Sequence, residues 1–193
     1  MNADRHSLLR RGLRLEYATL GWNAVGIAVL GVAAVTARSV ALAGFGLDSL
    51  IEIGASTVVV WELTGADAER EHRALRMVGI AFLALAAYLA IQAAVVLALR
   101  HHAAPSPLGI AWTAASALVM FGLAAGKART GRALGNPVLL KEGRVTLVDG
   151  LLATSVLAGL ALNAALGWWW ADPLAGLVIV VYGVREGLSA LRQ

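Results

Sequence analysis

Six stretches of this 193-residue chain run for about twenty residues with few charges. A helix needs roughly 20 apolar residues to cross a hydrocarbon core about 30 Å thick. The stretches lie near residues 15–36, 39–62, 75–99, 107–126, 143–164 and 173–191. They predict an all-α membrane protein, with six transmembrane helices in one bundle and residues 1–193 forming a single transmembrane domain. The composition agrees: 59% hydrophobic and 15% charged, where soluble domains hold about 45–50% and about 25%. No segment is polar enough and long enough to form a second, water-soluble domain. Arg10, Arg11 and Arg14 precede the first stretch, but a full span follows without a clear cleavage site, so it reads as a membrane helix and not a signal peptide. Ser106–Pro107 and Asp172–Pro173 each place a capping side chain before a proline at the first helical position, which marks two helix starts.

The formal net charge of +4 has a simple origin. With six spans, 14 of the 16 Lys and Arg residues fall on the side that carries both termini, and only Arg38 and Arg100 fall on the other. Such an imbalance places both termini in the cytoplasm. Among the basic residues of that side are Lys127, Arg129, Arg132, Lys141 and Arg144, read as the loop between the fourth and fifth spans. The basic character then belongs to topology, and nucleic acid is not an expected partner. Trp168, Trp169 and Trp170 precede the sixth span and suit an aromatic belt at the outer interface. The GxxxG spacings Gly122/Gly126 and Gly183/Gly187 permit close helix approach, within one protomer as readily as between two.

With no cysteine, the chain has no disulfide, thiolate metal site or cysteine nucleophile. His6, His72, His101 and His102 all fall in loops or at the terminus, which leaves carboxylates and hydroxyls for any chemistry inside the membrane. Asp4, Glu16, Glu62, Asp67, Glu69, Glu71, Asp172 and Glu186 lie outside the spans or near their ends. Asp48, Glu52 and Asp149 do not. Asp48 and Glu52 are four residues apart in the second span, on one helix face and about 6 Å apart along the axis. Two such carboxylates in an apolar bundle repel each other and need a cation, protons or water. The alternative is a proton-neutralised structural pair, hydrogen-bonded to Ser49, Ser56 or Asn23. Asp149 lies about a turn and a half into the fifth span, and Glu142 stands seven residues earlier on nearly the same face. If the second and fifth helices pack together, Asp48, Glu52 and Asp149 can converge, with Glu142 nearer the cytoplasmic mouth. The alternatives are, for Asp149, a pairing with Arg144 or a cap near the helix start, and for Glu142, a pairing with Lys141 and Arg144 at the surface.

The segment from Ser39 to Ser56, with Asp48 and Glu52 four residues apart, resembles the second membrane helix of the cation diffusion facilitator family. Glu142 to Gly150 is similar to that family's fifth helix, and Trp168-Trp-Trp-Ala-Asp172-Pro to the start of its sixth. The resemblance implies that Asp48, Glu52 and Asp149 supply metal ligands. It also places Val145 where the family usually carries histidine, so that Thr146, backbone, water or Glu142 must complete the coordination. No soluble cytoplasmic tail domain like the family's is expected, and the nearest likeness is to a tail-less branch that includes a vesicular zinc-binding membrane protein. The resemblance implies a homodimer that exchanges metal for protons.

These readings converge on a multi-pass protein of the cell membrane that is not an enzyme and has no prosthetic group. It is expected to export a divalent cation in exchange for protons by alternating access, binding it at Asp48, Glu52, Asp149 and Glu142. Resemblance favours zinc, and an oxygen-rich site also suits Mn²⁺, Fe²⁺ or Co²⁺. A cation or proton channel, and a metal-binding membrane protein that moves nothing, are the alternatives. An intramembrane hydrolase is the weakest, since no span offers a histidine or cysteine.

Overall fold

The computed structural model describes residues 2–37, 39–64, 68–100 and 106–170, with further positions between 180 and 191. Among these residues five long helices follow one another: α1 (Asn2–Ala37), α2 (Val40–Leu63), α3 (Ala68–Leu99), α4 (Pro107–Leu134) and α5 (Pro137–Leu166). All five are long and apolar enough to cross a membrane. The expected sixth span, 173–191, falls mostly outside the described residues, as do its Asp172–Pro173 start and His101–His102. The described positions from 180 to 191 are helical.

The helices overrun the apolar stretches that reveal them. At 1.5 Å per residue, the 36 residues of α1 span about 54 Å and the 28 of α4 about 42 Å. The segment 127–142, read from the sequence as a loop, is therefore almost wholly helix, broken only by a turn at Gly135 and Asn136. Gly135 adopts φ +64°, a left-handed cap that glycine takes without strain. Asn136 then caps α5, its Oδ1 accepting from the Leu139 amide at 2.7 Å. Ser106 behaves as expected, accepting from the Gly109 amide at 3.1 Å ahead of Pro107. Ser39 does the same for α2 through the Leu42 amide.

Helix α5 lies against α4 over the most extensive contact in the bundle, and also touches α2 and α3. Helix α1 packs along α2 and α4. Small residues let these axes approach. A Cβ at Gly126 would come within 2.9 Å of Leu15, at the α1–α4 contact, and one at Gly187 within 3.0 Å of the Gly79 carbonyl on α3. In both GxxxG pairs the close contact is thus inside one protomer, while Gly122 has open space around it. Trp22 of α1 stacks on Trp112 of α4 at 4.7 Å. Leu30, Leu42, Phe82, Val138 and Leu139 form part of a fully buried apolar core. Val35, Ile91 and Leu118 point outward, more than 60% exposed, as apolar side chains facing lipid would. Trp168 and Trp170 stack on each other beyond the Gly167 cap and stay exposed.

Candidate functional site

Helices α2 and α5 are antiparallel, and polar side chains meet along their seam at intervals of about one turn. At one end the carboxyls of Asp48 and Asp149 face each other within hydrogen-bonding reach. One turn along, the Thr146 hydroxyl donates to Glu52 Oε1 at 2.6 Å. A turn further, the Ser56 hydroxyl donates to Glu142 Oε1 at 3.1 Å. The seam closes at the α5 cap, where the Asn136 amide donates to both carboxylate oxygens of Glu62, at 3.0 and 3.1 Å. The register follows from helix geometry: positions four apart on one helix share a face and meet positions three or four apart on its antiparallel neighbour.

A third helix adds a cation. Lys127 of α4 is fully buried, and its ammonium lies 2.5 Å from Glu142 Oε1, 3.0 Å from Thr146 Oγ1 and 3.2 Å from Glu16 Oε2 of α1. The first two contacts are hydrogen bonds and the third is an ion pair. Thr146 then has one proton to give. Glu142 Oε1, 3.2 Å away, already accepts from Lys127 and Ser56, so the hydroxyl donates to Glu52 by the shorter bond. Lys127, Thr146 and Glu52 form a continuous relay from α4 through α5 to α2.

Glu16, Asp48, Glu52, Glu142 and Asp149 are each 2% exposed or less, and all sit with one equally buried lysine. Five acids against one base cannot all stay ionised in a low-dielectric interior, where an unpaired charge costs several kcal/mol even after relaxation. The shortfall must be met by protons or by mobile cations. Glu16 Oε1, Asp48 Oδ2, Glu142 Oε2 and Asp149 Oδ2 are buried acceptors without a hydrogen-bond donor among the described residues. The acids are strung along the seam. Among the described residues no three His, Cys, Asp or Glu side chains are gathered into a ready-made metal cage.

The structure therefore brings Asp48 and Asp149 together, sets Glu52 one turn away on Thr146, and ties Glu142 to Lys127. Several expectations need correction. Glu142 is no surface residue at a helix start: α5 begins at Pro137, and Glu142 is fully buried. Its partner is Lys127, while Arg144 is exposed and the Lys141 ammonium reaches Ser189 at 3.1 Å. Lys127 and Glu16 were placed in a loop and near a span end, yet both lie in the core of the network. The suggested partners of Asp48 and Glu52 are engaged elsewhere. Ser49 donates to the Phe45 carbonyl, Asn23 to the Thr19 carbonyl, and Ser56 to Glu142. The usable signal for Lys127 was its spacing: 15 residues from Glu142, across a turn carrying Gly135 and Asn136.

Residues 74–193 match the model of the cation efflux transmembrane domain, a stretch that contains α4, α5, Lys127, Glu142 and Asp149. The chain is also 27% identical, over 182 residues, to Transmembrane protein 163 of Xenopus laevis. That alignment covers 86% of this chain and 64% of the frog protein, so the chain spans less than two thirds of its relative's length.

Proposed function

Because the chain belongs to the cation efflux family, we propose that it is a multi-pass membrane transporter that carries a divalent metal cation through the Asp48–Asp149 pair. One observation carries this reading: two carboxyls from two helices meet in the interior, each with an oxygen that no donor among the described residues satisfies. Such a pair needs a proton or a cation between its oxygens. A metal ion arriving there displaces protons, because ligation and protonation use the same lone pairs, and this gives coupling to a proton gradient. Glu52 completes the ligand set by releasing its bond from Thr146 and turning toward Asp48, one turn away on the same helix. Glu142 stands next in line and becomes available when Lys127 leaves it. Val145 is buried beside these groups but offers no ligand, so the donors are oxygens, which suit Zn²⁺, Mn²⁺, Fe²⁺ or Co²⁺.

Rocking of α2 and α5 against their neighbours would expose this seam to either side in turn, the alternating access of a secondary transporter. In purified proteoliposomes carrying a pH-sensitive dye, Zn²⁺ or Co²⁺ addition should drive proton movement in the opposite direction. Asp48→Asn with Glu52→Gln should lower that flux at least a hundredfold. Flux in the double variant equal to that of the unmodified chain would remove the site assignment.

A further inference from the structure

We propose that Lys127 is a resident cation: its ammonium fills a second cation station, built by Glu16 of α1 and Glu142 of α5, and a divalent ion takes that station only when the ammonium withdraws. The inference rests on the transport reading of the seam and adds to it a station and a competitor built into the chain. The ammonium is already held as a cation would be, by three oxygens from two helices within 3.2 Å and with no exposure to solvent. It is an incomplete occupant. One positive charge faces two carboxylates, and among the described residues Glu16 Oε1 and Glu142 Oε2 have no donor. A divalent ion would match the charge of both carboxylates and could use those free oxygens, which belong to the two carboxylates already paired with the ammonium. Thr146 ties this station to the first, since its hydroxyl accepts from Lys127 and donates to Glu52. Withdrawal of the ammonium therefore frees Glu142 and loosens the hold on Glu52 together. The lysine stem on α4 keeps the competitor beside the path at high local concentration, with its ammonium paired to Glu142.

The test compares metal binding by the full chain in lipid nanodiscs, using Zn²⁺ alone and Co²⁺ alone and counting bound equivalents by equilibrium dialysis. Lys127→Met keeps the side-chain length and removes the charge. It should bind one equivalent more per chain than the unmodified protein, and Lys127→Met combined with Glu16→Gln and Glu142→Gln should lose that equivalent again. An unchanged stoichiometry and affinity in Lys127→Met would overturn the proposal. If that variant does not fold, Lys127→Gln keeps a hydrogen-bond donor for Glu142 and removes the charge while leaving both carboxylates in place. It should then bind the divalent ion at least tenfold more tightly than the unmodified chain, and equal affinity would overturn the proposal in the same way. Failure of the transport reading is seen separately, as metal binding by Asp48→Asn identical to that of the unmodified chain.

Discussion

Thr146 shows how much a single hydroxyl carries. It accepts from Lys127 and donates to Glu52, so it links a base and an acid that never touch. Thr146→Val preserves the volume and removes both bonds, leaving a buried ammonium donor and a carboxylate oxygen without partners. Unsatisfied buried groups of this kind cost about 1–3 kcal/mol. The variant should therefore melt at lower temperature in detergent, while Thr146→Ser, which keeps the hydroxyl, should recover most of the loss. Equal melting of the valine and unmodified chains would mean that the hydroxyl bridges nothing. At this scale the sequence was legible in part. Asp48, Glu52 and Asp149 stood out because an acid in mid-span has no water to turn to. Lys127 and Glu16 did not, because long side chains near the end of an apolar stretch ordinarily reach back to the interface. Only the approach of α1 and α4, tightened at Gly126, turns both inward. Nothing in a linear sequence announces a contact between residues 111 positions apart.

At the scale of the element, the turn between α4 and α5 decides where Lys127 and Glu142 meet. Asn136 does two things there: its carbonyl oxygen caps α5 and its amide group holds Glu62 of α2. Asn136→Ala should cost about 1–2 kcal/mol from the cap alone. Asn136→Asp keeps a capping oxygen but brings a second carboxylate against Glu62, so it should be less stable than the unmodified chain near neutral pH. The difference should shrink in acid, where carboxylates protonate. A thermal-melt series over pH separates the two effects, and an aspartate variant as stable as the asparagine would show that the Glu62 contact carries no weight. Hydropathy recovered each of the five described helices but placed their ends short, at 126 and 143 where the helices end at 134 and begin at 137. The reason is physical: apolar content measures the part of a helix immersed in lipid, whereas caps and backbone hydrogen bonds set where the helix stops.

At the scale of the molecule, the same scarcity of charge that produced the spans also fixes an orientation that can be tested. The exposed bases Arg10 and Arg132 belong to the side expected in the cytoplasm, and Arg100, at the end of α3, to the opposite side. The chain has no cysteine, so each single substitution creates a unique thiol. In intact cells, a membrane-impermeant maleimide should label Arg100→Cys and leave Arg10→Cys and Arg132→Cys unlabelled until the membrane is opened. Arg132 is the decisive position because α4 runs from the end near Arg100 to the turn at Gly135. Labelling on the same side as Arg100 would mean that α4 does not cross, despite a length of 28 residues. The orientation also determines which way the proposed pathway is loaded. The seam runs from Asp48 and Asp149 toward Glu62 and Asn136, and that second end lies beside Gly135. If Arg132 is cytoplasmic, Glu142 and Lys127 stand between the cytoplasm and the Asp48–Asp149 pair, so that an exported cation meets the lysine before it reaches the paired aspartates. The reverse labelling pattern would put the aspartate pair nearer the cytoplasm and make the lysine an obstacle to exit.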